Sequence, residues 1–218
     1  MELTKEQIQE IEKYLNVKGI TFIDLRIEVL DHMISDIEAK TNTENLDFET
    51  IFPVVKEKWN AQLKQSSSFY FGEMFSAPKI VINKAKKHFK KWYIISFLVF
   101  IFPVLFLKVI KPSFSENIEN ILNLSFQILT VLSFLIFSIL IFLTSRNKTQ
   151  TIFSFILKTQ SLSVLVFFIV LLDLNFFKKI GEIDSFKVGF LISFIFLTYS
   201  YFHFYKKHKE AIKKYKVS

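Results

Sequence analysis

The polar and apolar positions of this chain follow two patterns. Up to about residue 75, apolar residues recur every three or four positions among charged ones. After Trp92 they run almost unbroken in long stretches. The first pattern predicts amphipathic helices that share a core. The second predicts helices that cross a bilayer, whose hydrocarbon core takes about 20 apolar residues at helical rise. The change falls within residues 79–110. Their first part, Lys79-Ile-Val-Ile-Asn-Lys84-Ala-Lys86-Lys87-His88-Phe-Lys90-Lys91, is basic, and the part from Trp92 to Leu107 is apolar. No Gly interrupts them and no Pro precedes Pro103, so both fit one helix.

Residues 1–75 read as a cytosolic domain of about three helices. Thr4-Lys-Glu-Gln7 has the form of a capping box, and the helix it opens reaches about Leu15 with Ile8, Ile11 and Leu15 on one side. Gly19 stops it. Thr21 is the expected cap of a second helix, from Phe22 to about Lys40. Ile23, Ile27, Leu30, Ile34 and Ile37 form its apolar face, widened by Leu25, Val29 and Met33. Thr41–Asn45 reads as a polar turn. Asp47 is the expected cap of a third helix, from Phe48 to about Gln65, with Phe48, Ile51, Phe52, Val55, Trp59 and Leu63 facing the core. The aromatic run Phe69–Phe75 is too short to span and suits a membrane interface. A basic juxtamembrane helix at 76–91 follows.

Four spans are predicted, at about 92–110, 121–143, 153–175 and 188–205, before a basic tail at 206–218. Positive charge sets orientation. Residues 79–91 hold six lysines, the 144–151 loop holds Arg146 and Lys148, and the tail holds six lysines. The loops 111–120 and 178–187 mix both signs. The more basic side, carrying both termini, is expected in the cytoplasm of a bacterial inner membrane. The N-terminus, Met-Glu-Leu-Thr-Lys-Glu, has no basic start or apolar core and reads as no cleavable signal.

Composition sharpens the division. Of 28 Phe, 21 follow Trp92, and Lys outnumbers Arg 26 to 2. That bias suits an AT-rich genome filling lipid-facing positions better than an aromatic ligand path. Residues 1–75 carry 8 Lys/Arg against 14 Asp/Glu, whereas 76–218 carry 20 against 6. Because the positive charge flanks apolar spans, membrane orientation explains it and nucleic acid is not an expected partner. The chain has no Cys, which excludes disulfides, thiolate catalysis and Cys-ligated metals.

Candidate functional residues are few. The second helix presents an acidic face of Asp24, Glu28, Asp31, His32 and Asp36, a candidate surface for a protein partner. Glu28, His32 and Asp36 are spaced four apart, as metal ligands on one helix can be. No second helix offers matching ligands, and the set reads as a solvated face with local pairing. Lys84, Lys86, Lys87, Lys90, Lys91, Lys206 and Lys207 are expected against anionic lipid headgroups. Docking of the acidic face onto the 79–91 lysines is the weaker alternative. Lys158 and Asp173 are the ionisable groups within the spans, both near interface depth. Ser125, Gln127, Thr130, Ser133 and Ser138, with Ser161 and Ser163, are expected to join helices. No Ser/His pair, HExxH or phosphate-binding loop is present. No catalytic residue, cofactor or metal is assigned.

The run Leu25-Arg26-Ile-Glu28-Val-Leu30-Asp31-His32, followed by Leu46-Asp-Phe48-Glu49-Thr-Ile51-Phe52 and Trp59-Asn-Ala-Gln-Leu63, resembles multi-pass membrane proteins of Bacteroidetes and flavobacteria. Their cytosolic start carries a Glu-Leu-Leu-Asp-His helix, then a Ser-Phe-Glu-Glu-Ala-Phe helix. More loosely it is similar to helical prefix domains of the HAAS and permease-prefix type. The resemblance covers roughly residues 3–65. It implies a helical module that engages regulators or partner subunits, and it carries no catalytic residues. Thr50-Ile51 departs from the pattern, the Gly before the third helix is missing, and no permease or kinase module is attached.

The expectation is an all-α protein: a small cytosolic helical domain followed by a four-helix transmembrane bundle. Its expected role is non-enzymatic, as a regulatory or scaffold subunit that binds a protein partner. The alternative is a small transporter or channel subunit. Four spans rarely enclose a path, so that alternative requires a homo-oligomer with Lys158 or Asp173 facing its lumen.

Overall fold

A computed structural model describes residues 2–179 and 181–216. The last two residues of the expected basic tail lie outside them. The fold is all-α, with eight helices and four strands of two or three residues among the described residues. The described residues separate into two units. One comprises 2–88, 148–156 and 207–216, and the other 89–147 and 157–206.

In the first unit, α1 (Lys5–Val17) opens with the expected capping box, Gln7 N–H to Thr4 Oγ1 at 3.3 Å and Thr4 N–H to Gln7 Oε1 at 2.9 Å. It ends ahead of Gly19, whose φ of +70° lies in the left-handed region. The helix α2 (Ile23–Glu44) differs from expectation in three ways. Phe22 holds its N-cap position with no side-chain cap, not Thr21. It runs through the supposed turn at 41–44 to end at Asn45, whose positive φ a short polar side chain tolerates. Its core face is Leu25, Val29, Met33 and Ile37, all buried, while Ile27 is 36% exposed. Ile23, Leu30 and Ile34 sit half-buried at the margin. A strict four-residue step lets these buried side chains stack over one another along the helix.

The helix α3 (Phe48–Leu63) begins as expected, with Asp47 accepting from Thr50 N–H at 3.0 Å. Phe48, Ile51, Phe52, Val55 and Leu63 are buried and Trp59 is half-buried. Arg26 fastens α2 to the end of α1 by donating to Ile20 O (3.2 Å) and Glu12 O (3.4 Å). A two-residue ladder, β1 (Gln65–Ser66) against β2 (Ala77–Pro78), closes the 67–76 loop. There Phe71 is buried against Phe155, while Phe69 and Met74 are exposed. The first turns of α4 (Lys79–Ile110) bury Val81, Ile82 and Ala85.

The basic and apolar parts of residues 79–110 form the single helix α4, as expected. Its end at Ile110 is set by Lys111, whose φ is +46°, followed by Pro112. The helix α5 (Glu116–Ser145) follows. The third apolar segment is two helices, α6 (Ile152–Ser161) and α7 (Ser163–Leu171), meeting at Leu162. Ser161 Oγ donates to Lys158 O at 2.8 Å, a side-chain bond that competes with the helical ladder at that point. A short hairpin, β3 (Phe177–Lys179) with β4 (Glu182–Ile183), leads into α8 (Ser185–Lys216). The expected tail is therefore not a free segment: α8 runs through it without a break, and His208 and Ala211 are buried.

Among the described residues, four helical stretches are long and apolar enough to cross a membrane: Lys79–Ile110, Glu116–Ser145, Ile152–Leu171 and Ser185–Tyr215. The second unit is held mainly by rings. Phe137 meets Phe194 edge-on at 5.4 Å and Tyr201 at 5.0 Å, and Phe167 stacks on Phe194. Trp92 gathers Phe196, Tyr199, His203 and Phe204 within 6 Å. A second cluster buries Phe176, Phe177, Val188 and Leu191. Gly189 lets α8 approach α4 closely, since a Cβ there would stand 2.5 Å from Val104 Cγ2 and 3.2 Å from Phe100 O.

Candidate functional site

The acidic face of α2 is mostly consumed within its own unit. Asp24 is not on the exposed surface at all. It is 8% exposed, and both carboxylate oxygens accept from the backbone N–H of Ile152, at 3.1 and 2.9 Å. Ile152 begins α6, so its N–H has no partner within that helix. A negative charge there also faces the positive end of the helix dipole. Burial nevertheless dominates and pushes the Asp24 carboxyl above its usual range, against the opposing pull of the Ile152 N–H.

The start of α6 is further ordered by a reciprocal cap. Ser154 N–H donates to Thr151 Oγ1 (3.1 Å), and Thr151 N–H donates to Ser154 Oγ (2.9 Å). Thr151 Oγ1 also lies 2.8 Å from His208 Nδ1, inside the unit, where both residues are fully buried. Ile23 N–H donates to Gln150 O at 3.0 Å, and Thr21 pairs with Gln150 through their side chains. Three stretches distant in sequence, 21–24, 150–154 and 208, thus meet at one polar knot.

Glu28 pairs with Lys84 on α4. This corrects the assignment of Lys84 to lipid: the docking of the acidic face onto the basic segment, the weaker alternative in the sequence, is present at this one contact. Asp36 accepts from Lys58 Nζ (2.7 Å) and Trp59 Nε1 (3.3 Å) on α3. Glu38 accepts from Leu3 N–H at 3.1 Å. Asp31 and His32 remain exposed, with no hydrogen bond or ion pair among the described residues. The Glu28, His32, Asp36 spacing gathers no ligand set, and no group of three metal-binding side chains occurs among the described residues.

Lys86, Lys87, Lys90 and Lys91 are exposed on α4, with Lys86 4.8 Å from the Tyr70 ring. Lys206 and Lys207 are exposed on α8, with Lys207 3.0 Å from Glu210. Asp173 is corrected: it lies beyond the end of α7 at Leu171, outside the apolar stretch. It pairs with Lys187 Nζ at 2.5 Å and accepts from Asn175 N–H at 3.1 Å. Lys158 is within α6 and exposed. At helical rise it stands only about 9 Å from the start of α6, within reach of an interface for a long side chain.

Of the polar residues expected to join helices, only Gln127 bonds across elements among the described residues, donating to Leu174 O at 3.1 Å. Ser125 and Thr130 bond back to their own helix, to Ile121 O and Phe126 O. A joint that no local pattern announces is Gln160 Nε2 to Ser200 Oγ at 3.2 Å, both buried. Hydropathy does not announce the polar knot either. Its readable signal is Thr151-x-x-Ser154, a cap signature ahead of an apolar run. No family model, curated protein or solved structure matches the chain.

Proposed function

We propose that the chain is a four-span protein of a bacterial inner membrane, with both ends in the cytoplasm, whose helical unit docks a protein partner. Its role is that of a regulatory or scaffold subunit without catalysis. The four long apolar helices support the membrane assignment. The lysines of 79–91, Arg146, Lys148 and the lysines after Tyr205 support the orientation. On that reading Lys86, Lys87, Lys90, Lys91, Lys206 and Lys207 meet anionic headgroups, worth about 1 kcal/mol per basic residue near the surface.

One observation carries the docking role. Asp24, Glu28, Asp36 and Glu38 are each engaged within the unit, whereas Asp31 and His32 stand exposed beside Ile27 on α2. That small charged and apolar strip suits a basic partner surface.

A photocrosslinking residue at His32 or Ser35 tests this in native membranes, with the same residue at Glu10 on α1 as control. A discrete protein adduct from α2, weakened by Asp31→Lys, is expected. The same adducts from Glu10, or adducts indifferent to Asp31→Lys, contradict it.

A further inference from the structure

A pocket of about 490 Å³ opens where α4 ends and α8 begins, within the second unit. Its lining includes three lysines, Lys108, Lys111 and Lys178, and two serines, Ser113 and Ser185. We propose that this pocket binds a phosphoryl anion, either as the headgroup phosphate of a phospholipid or as free phosphate.

The cations are largely uncommitted. Lys111 has no partner among the described residues, Lys108 lies 4.4 Å from the Phe186 ring centroid, and Lys178 reaches Asp184 only at 3.8 Å. The pocket's own carboxylate is Glu182, which is exposed. Of the nearby carboxylates, Asp184 is only loosely paired with Lys178 and Glu119 accepts from the Gly181 N–H, so none among the described residues closely neutralises Lys108 or Lys111.

Ser185 points the same way. It is 6% exposed, lines the pocket, and its hydroxyl has no hydrogen-bond partner among the described residues. That hydroxyl is therefore free to donate to a ligand oxygen in the pocket. The first N–H groups of α8 do not serve here, because Asp184 Oδ1 accepts from Phe186 N–H (3.0 Å) and Lys187 N–H (3.3 Å). The donors are therefore side chains, which suit the several oxygens of a phosphoryl group.

Gly181 ties the rim to neighbouring segments. Gly181 has a φ of +81°, and a Cβ on it would lie 2.7 Å from Phe114 O. Its N–H donates to Glu119 at 2.6 Å, and Phe114 N–H donates to Gly181 O at 3.2 Å. The pocket exceeds a bare phosphate, and Leu107 and Ile183 add apolar wall beside the cations. A glycerophosphate head with the start of an acyl chain fits that mixture.

The test is binding to the purified full-length protein in neutral detergent, read by titration calorimetry and native mass spectrometry. The probes are dioctanoyl phosphatidylglycerol, inorganic phosphate, and dioctanoylglycerol, which lacks phosphate. Saturable one-to-one binding of a phosphate-bearing probe is expected. Lys111→Gln should weaken it on the order of tenfold and Lys111→Gln with Lys178→Gln on the order of a hundredfold, each decade matching one lost charge-assisted contact. Lys86→Gln with Lys87→Gln should leave it unchanged. Competition by inorganic phosphate at similar affinity identifies free phosphate as the ligand; binding of the lipid alone identifies the headgroup. Absence of binding by either phosphate probe, equal binding of dioctanoylglycerol, or affinities within twofold after Lys111→Gln overturns the proposal. Lys111 is exposed with no side-chain partner, so that single variant reads the site even if the double variant fails to fold.

Discussion

Replacing Asp24 tests the polar knot directly. Asp24→Ala leaves the Ile152 N–H without its acceptor, at a residue that is 6% exposed. An unsatisfied buried N–H costs about 1–3 kcal/mol, and the lost charge at the start of α6 adds up to about 1 kcal/mol. Removing a carboxylate whose ionised form is disfavoured by burial offsets part of this. The net expectation is about 1–3 kcal/mol of lost protection for residues 148–156, estimated from the cost of the orphaned donor. Hydrogen exchange with mass spectrometry on the full chain reads it as local opening. That range corresponds to about 5- to 150-fold faster exchange. Asp24→Asn retains one acceptor oxygen, so its effect should be smaller.

The pH dependence of the same site has a definite sign. The folded carboxyl titrates above its unfolded value, so between those two values the folded state binds more protons. The Asp24 contribution is fully present below the ordinary carboxylate range and falls as pH rises through the raised folded value. Protection corrected for intrinsic exchange should fall across that window in the native chain and stay flat in Asp24→Asn. Exchange at 148–156 that changes by less than twofold in Asp24→Ala, or a pH slope that survives in Asp24→Asn, would refute the reasoning.

Two other substitutions follow from packing. Gly189→Leu puts a Cβ 2.5 Å from Val104 Cγ2 and 3.2 Å from the Phe100 carbonyl; α4 and α8 must separate, lowering the melting temperature in detergent, whereas Ser at a neighbouring exposed position should not. Met33→Ala empties a fully buried site on α2 and should cost about 2–5 kcal/mol, seen as faster exchange throughout α1–α3.

Helix identity was legible wherever a local signal was complete. The capping box at Thr4–Gln7, the Asp47 cap, the left-handed stop at Gly19 and the unbroken run of 79–110 each rest on neighbouring residues alone, and the structure has them. The core face of α2 was misjudged because apolar side chains cover more than half its circumference. Which of them turns inward depends on where α1 and α3 pack. Asp24 shows the same limit: at the first turn of α2 it shares a helical face with Glu28 and Asp31, and only its meeting with Ile152, 128 residues away, buries it. Hydropathy alone places Asp173 inside a span, because it has no sense of where α7 stops. Of the candidate surface, Asp31 and His32 are exposed, while Glu28 and Asp36 are engaged by Lys84 and Lys58 through contacts that depend on tertiary structure.

The central claim is that the polypeptide passes from water into the bilayer within α4 and returns both ends to one side. The chain has no Cys, so single cysteines introduced by Ser67→Cys, Ser115→Cys, Asn147→Cys and Lys213→Cys report cleanly. With a membrane-impermeant maleimide on intact cells whose outer membrane is opened, label should reach position 115 alone, and positions 67, 147 and 213 only after the inner membrane is permeabilised. Labelling of 115 and 147 from the same side, or of 213 from outside, would contradict it.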